Sequence, residues 1–274
     1  MIQSRLKLQL KDIQNTQDER GIDIQHVGVR NVEVPLILQR KNNDDQVVSA
    51  SATMSVSLPR EYRGTHMSRF MEILTEWGQK NLLGVDIQGC LEAIKEKLQA
   101  DSATLKFEFK YFIEKAAPVS GLKSPMGYNC SFQGILDKEK YCFILGVEVP
   151  VTTLCPCSKE ISDYGAHNQR TIVRLNVSYN PDENMIWIED LIELVEKCGS
   201  SPIFPLLKRE DEKYVTELAY NNPRFVEDIL REITLKVREL PITWFESIAK
   251  LSKAYITTLP GHIIRKKLLL PNPL

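Results

Sequence analysis

The chain has 274 residues, 43% hydrophobic and 26% charged, with a formal net charge of −1. That length buries a full core as one large domain or two ordinary ones, and the near-neutral charge gives no electrostatic reason to expect nucleic acid or an anionic membrane as a partner. No apolar run approaches the roughly 18 residues of a membrane span, the polar start Met1-Ile-Gln-Ser-Arg-Leu-Lys does not read as a secretory signal, and six cysteines outside a small secreted domain argue for free or metal-bound thiols in a cytoplasm.

Residues 1–28 are polar and without period, and read as a mobile arm. Val32, Val34, Leu36 and Leu38 recur at every second position, so structure begins near Val29 with a strand, and Pro35 puts that strand at an edge. Asn42-Asn-Asp-Asp45 reads as a turn. Val48, Ala50, Ala52, Met54, Val56 and Leu58 alternate with serines and a threonine, the pattern of a half-buried antiparallel strand. Helical spacing follows in Met67, Phe70, Met71, Leu74 and Trp77, and again in Leu91, Ile94 and Leu98. Alternation returns at 105–111, and a further strand covers 128–136. The first unit, 29–138, is therefore ββααββ.

The second unit, 139–245, repeats that order: strands at 141–154 and 171–178, helices near 188–198 and 224–239, then a strand from Pro241. The sixth element does not read as a strand, so the unit is incomplete. Two four-stranded antiparallel sheets leave edges to pair, which favours an oligomeric barrel.

The run Pro150-Val-Thr-Thr-Leu-Cys-Pro-Cys-Ser-Lys-Glu-Ile-Ser-Asp-Tyr-Gly-Ala-His-Asn-Gln-Arg170 places Cys155, Cys157 and His167 in one polar loop after an apolar strand. On a strand the two thiols share a face. Soft sulfur beside imidazole suits a zinc-like ion or an activated thiolate. The alternative is a pair of small buried hydrophobes, and Cys90, Cys130, Cys142 and Cys198 are read that way. At Gly64-Thr-His-Met-Ser-Arg-Phe70, a helix start with Arg69 suits an anion, or is simply a capped helix with a solvated arginine. Residues 114–124 join two strands with small residues and two lysines, Lys115 and Lys123, either a phosphate-contact loop or an ordinary solvated one. Lys208-Arg-Glu-Asp-Glu-Lys-Tyr-Val-Thr-Glu217 is a charge run ahead of a helix, and Glu217 stands near Tyr214 and Val215, a partly apolar setting for acid–base work.

These segments, with Pro118-Val-Ser-Gly121, Leu206-Leu-Lys-Arg209 and Asn222-Pro-Arg-Phe-Val-Glu-Asp228, resemble the type IB GTP cyclohydrolases over about residues 25 to 245. The resemblance implies an α+β tunnelling fold of two tandem ββααββ units, a homotetramer with sites between subunits, and the opening of GTP at carbon 8 of guanine to give formate and 7,8-dihydroneopterin triphosphate for folate-type pterins. It implies Cys155 as metal-binding or catalytic thiol, with Cys157 beside it and zinc or manganese as the divalent metal. His167 would assist proton transfer, and Glu217 would anchor guanine and shuttle a proton. Arg69, Lys123 and Arg170 would meet the triphosphate. The competing readings are a non-catalytic paralogue and a relative such as the nitrile reductase of the queuosine pathway.

The tail departs from the family. Members end in a strand carrying Glu-Ser-Ile-His-Asn-His-Ser-Ala, whereas Ala249 and Leu251 stand where histidines belong. Synonymous codons for Ser252-Lys-Ala-Tyr-Ile-Thr-Thr-Leu-Pro260, read from the third base of each, permit those eight residues in order. Residues 246–274 are accordingly expected to be an aberrant tail read in a shifted frame, lacking part of the metal shell. A divergent tail that anchors to a partner or membrane is the alternative.

Overall fold

The computed structural model describes residues 12–14, 16–42, 44–78, 81–82, 84–251, 255–257 and 261–262. In chain order the elements are β1 (Ile24–Gln39), β2 (Asp45–Leu58), α1 (Met67–Trp77), β3 (Asn81–Leu82), α2 (Gly84–Leu98), β4 (Ser102–Ala116), β5 (Lys123–Asp137), β6 (Lys140–Leu154), α3 (Pro156–Ile161), β7 (Asn168–Tyr179), α4 (Ile188–Glu196), β8 (Ser201–Pro202), α5 (Arg209–Asn221), α6 (Val226–Val237), β9 (Trp244–Lys250), β10 (Tyr255–Thr257) and β11 (Gly261–His262). The two ββααββ units are β1-β2-α1-α2-β4-β5 and β6-β7-α4-α6-β9-β10, with β3, α3, β8 and α5 interposed. Among the described residues no helix is long and apolar enough to cross a membrane.

The strands form one sheet in the order β10-β9-β7-β6-β5-β4-β2-β1-β3, with β8 pairing β6 and β11 pairing β9. This replaces the two separate sheets expected from the alternation. A tight turn at Lys138 and Glu139, with Lys138 at φ 55°, folds β6 back on β5 in register from Asn129↔Glu148 to Asp137↔Lys140. β1 takes the edge, as Pro35 suggested, except where β3 pairs with Ile37 and Leu38.

Strand alternation gives the sheet two unlike faces. Ala50, Ala52, Met54 and Val56 of β2 and Leu105, Phe107, Phe109 and Tyr111 of β4 are buried. Onto this face α1 sets Phe70, Ile73 and Leu74, α4 sets Leu191, Ile192 and Val195, and α6 sets Ile229, Leu230, Ile233 and Val237, the spacings of amphipathic helices. An aromatic row, Phe109–Phe132–Phe143–Tyr179, crosses β4 to β7 at centroid spacings of 5.1, 5.7 and 5.4 Å. Each such pair contributes about 0.5–1.5 kcal/mol beyond its area, so the row fastens the second unit to the first. The other face is polar and carries a hollow of about 510 Å³ lined by groups such as Ser51, Lys106, Glu108, Asn129, Glu148 and Arg174.

Three boundaries differ from the sequence reading. β1 begins at Ile24 rather than Val29, and Thr16 and Gln17 of the expected arm dock on their own chain through the Gln17–Tyr62 bridge and the bond from Arg63 N–H to Thr16 O. β9 runs past Phe245 to Lys250, in register with β7 from Ser178↔Trp244 to Ile172↔Lys250, so the strand extends five residues beyond the expected end of the second unit. Among the described residues beyond β9, β10 and β11 both pair antiparallel with it. The rest of the tail, 252–254, 258–260 and 263–274, lies outside the described residues.

Helix α2 presses on the sheet most tightly at Gly134, where an added Cβ would lie 2.5 Å from Ile87 Cγ2 and 2.7 Å from Leu91 Cδ1. Gly134→Ala is expected to destabilise the chain by about 1–3 kcal/mol through overpacking, read as a lower urea midpoint at unchanged m-value.

Candidate active site

The polar loop starts where β6 ends, and that end is held from several sides. Leu154 N–H donates to Ser200 Oγ at 3.0 Å, and its carbonyl accepts Arg224 N–H at 3.0 Å. Ser200 is buried and donates its own N–H to Thr152 O at 2.8 Å. Its neighbour Gly199 must be glycine, because a Cβ there would lie 2.8 Å from Val151 Cβ. Asn222, the C-cap of α5, donates Nδ2–H to Gly199 O at 3.0 Å and accepts Arg224 Nε–H at 3.0 Å. Strand end, strap and helix end thus form one hydrogen-bonded block.

Cys155 follows at once. Pro156 cannot continue the ladder and pre-sets a helical φ, so the chain turns into α3 with Cys155 as its N-cap. The Cys155 Sγ accepts Ser158 N–H at 3.4 Å. This corrects the expected strand geometry: Cys155 is half-buried at the cap, whereas Cys157 is exposed in the first turn of a helix. The loop closes on itself, since Cys155 N–H donates to His167 O at 3.1 Å and His167 N–H to Ser158 Oγ at 3.0 Å. Its tip carries Gly165 at φ 69° and an exposed His167. Lys159 ties the loop to α5, donating to Tyr220 O at 2.6 Å with its ammonium 4.2 Å from the Tyr220 ring centre. Burial pushes the thiols of Cys130, Cys142 and Cys198 up, which leaves them unreactive.

The charge run 208–217 is not a prelude to a helix but is itself α5. Lys208 N–H donates to Asp211 Oδ2 at 2.9 Å, which caps the first turn. Glu217 lies on the exposed side of α5, with Lys213 Nζ 3.8 Å away, so the apolar setting expected from Tyr214 and Val215 does not form. Asp211, which sequence reasoning passed over inside that run, is fully buried. Burial alone would raise its pKa, but bonds from the Ser120, Lys208 and Val119 N–H groups and the Ser120 hydroxyl hold it well below the usual carboxylate range. Its signal in the sequence was its place three residues after the N-cap. Lys115, one of the two lysines of the 114–124 segment, is turned inward rather than solvated. It bonds Glu196 at 2.6 Å and Ile203 O at 2.7 Å, burial lowers its pKa, and it fixes the segment that leads to α5.

The remaining expected residues are dispersed. Arg69 donates Nη1–H to Lys97 O at 2.8 Å, which satisfies a carbonyl at the end of α2. Lys123 is exposed and paired with Glu114 at 3.1 Å, and Arg170 is exposed near the start of β7. The polar hollow of about 510 Å³ is lined by none of the seven expected site residues. Among the described residues no three His, Cys, Asp or Glu side chains gather to hold a metal ion. The donor types suit zinc, but the described residues do not close a shell around it.

A family model described as type I GTP cyclohydrolase folE2 matches residues 10–254. The chain belongs to that family. A GTP cyclohydrolase FolE2 of Citrifermentans bemidjiense is 51% identical over 247 residues, covering 89% of this chain and 91% of the relative. One from Geotalea uraniireducens is 52% identical over 86% of each chain, and one from Thermosipho africanus 46% identical over 86% of this chain and 90% of its own. The range matched by the family model thus reaches nine residues past Phe245. Among solved structures, uricase from Arthrobacter globiformis superposes with a TM-score of 0.53 at 7% identity, covering 90% of this chain and 96% of that one. At that identity the likeness concerns the fold alone, the α+β tunnelling fold.

The block behind Cys155 is testable. Ser200→Ala leaves the buried Leu154 N–H without its partner, and a loss of about 1–3 kcal/mol is expected, measured by urea unfolding. Hydrogen exchange should speed up at Leu154 before the rest of β6.

Proposed function

We propose that the chain is a GTP cyclohydrolase of the IB type, converting GTP and water to formate and 7,8-dihydroneopterin triphosphate in the cytoplasm. The observation that carries this reading is the linkage between the pinned Cys155–His167 loop and α5, which bears Glu217, in a chain whose relatives at about half identity are named GTP cyclohydrolase FolE2. Water adds at carbon 8 of guanine and opens the imidazole ring, and a second water cleaves the resulting formyl group as formate. The ribose carbons then rearrange and close onto the freed amine with loss of one water. Glu217, an acceptor of two N–H bonds, takes the guanine edge. Cys155 stands at the reacting carbon, and His167 moves protons to and from the ring nitrogens. Lys123 and Arg170 are the cations for the triphosphate, while Arg69 keeps its bond to α2 and serves structure first.

Cys157, His167, Arg170 and Glu217 are all exposed in a single chain. That exposure favours a homotetramer in which a second copy covers them. Metal dependence belongs to this reading through the family, with Cys155 as first ligand and zinc or manganese as the ion.

The test is GTP turnover, followed by formate release and by neopterin fluorescence after oxidation. Cys155→Ala, His167→Ala and Glu217→Gln are each expected to lower kcat by at least about 10²-fold without loss of folding. The chain as written is expected to turn over little GTP, and a chain carrying the restored Glu-Ser-Ile-His-Asn-His-Ser-Ala strand that releases no formate would overturn the reading and favour a non-catalytic relative. The frame of the tail is tested separately, by sequencing the gene from the codon of Phe245 to its end. A frame that restores Glu-Ser-Ile-His-Asn-His-Ser-Ala is expected, and a reading as written would make the divergent tail genuine.

A further inference from the structure

Asp211 is the one charged side chain fully buried among the described residues. A helix-capping acid needs one backbone donor and sits at the surface. Asp211 takes four. Oδ2 accepts Lys208 N–H at 2.9 Å and the Ser120 hydroxyl at 2.7 Å, while Oδ1 accepts Val119 N–H at 2.8 Å and Ser120 N–H at 2.9 Å. Three of these donors belong to the turn between β4 and β5, not to α5. The turn is closed within itself by Ala117 N–H to Leu122 O at 2.9 Å and by Gly121 at φ 68°, and it leads directly into Lys123. Burying a carboxylate is costly unless it is fully bonded, and only an acceptor-only group satisfies four donors at once. An asparagine would set its own N–H against a donor. The cost is therefore met for a link between two segments rather than for a cap.

We infer that Asp211 is a positioning residue for substrate: it fixes the 117–122 turn, and with it Lys123, against the helix that carries Glu217. This inference rests on the reading of the site as one for GTP. The triphosphate end of the nucleotide then meets one segment and the guanine end the other, and Asp211 sets the span between them. Glu217 follows Asp211 by six positions, about 9 Å along the helix axis. A rigid span of this kind rewards a ligand that engages both ends and is indifferent to one that engages only the base.

The experiment compares GTP with guanosine by calorimetric titration of the assembled full-length protein. Asp211→Asn is expected to lower the GTP-to-guanosine affinity ratio about tenfold, leaving guanosine affinity within about twofold. Ser120→Ala, which removes one of the four donors and keeps the cap, is expected to move the ratio in the same direction by a smaller factor, and it serves if Asp211→Asn does not fold. A ratio that stays constant in the folded variant, whether both affinities fall or neither does, overturns the inference. Wild-type protein that binds neither ligand overturns the GTP reading itself, and the inference with it.

Discussion

The pairing of β5 with β6 is the contact on which the architecture depends. Each ββααββ unit alone would present four strands with two raw edges, one beside β5 and one beside β6. Their antiparallel register over residues 129–137 and 140–148 removes both edges and merges the units into one sheet. The Phe109–Phe132–Phe143–Tyr179 row crosses that seam on the buried side. Because the seam is continuous, α4 of the second unit can reach residues of the first: Tyr111 and Tyr128 donate to Glu189 and Glu196, two turns apart on α4.

Helix α5 organises the candidate site by being anchored at both ends. At its start Asp211 grips the turn after β4, and at its end Asn222 joins the strap that holds Leu154. Between them Tyr220 meets Lys159 from the Cys155 loop. Three segments that the family resemblance named separately are thus mechanically one. The linkage uses backbone carbonyls and amides as much as side chains, which makes it a property of how the chain is routed.

The strands that bury one face were readable, because a period of two survives any tertiary context: β2 and β4 fall where Val48–Leu58 and Leu105–Tyr111 put them. What escaped the sequence lacked a period. Helix α5 has few apolar positions and only Asp211 and Ala219 buried, so its residues looked like a solvated charge run. Helix α3 is six residues with none buried, so Cys155-Pro-Cys157 was read as strand. The single sheet was hidden because pairing between units leaves no mark on either strand's alternation. The candidate site was picked out from its Cys, His and Glu residue types alone. The supports of those residues, Asp211, Ser200 and Asn222, were not legible, because their partners lie in backbone groups brought together only by folding.

The strap behind Cys155 has a consequence for the order in which the molecule is made. Leu154 is bonded by Ser200, 46 residues later, and by Arg224, later still. A ribosome that has emitted the Cys155 loop has not yet supplied either partner. The first unit finds its alternation, its helices and its seam strand early, from neighbours close in sequence. The neck of the Cys155 loop therefore stays open until Arg224, just past α5, has emerged.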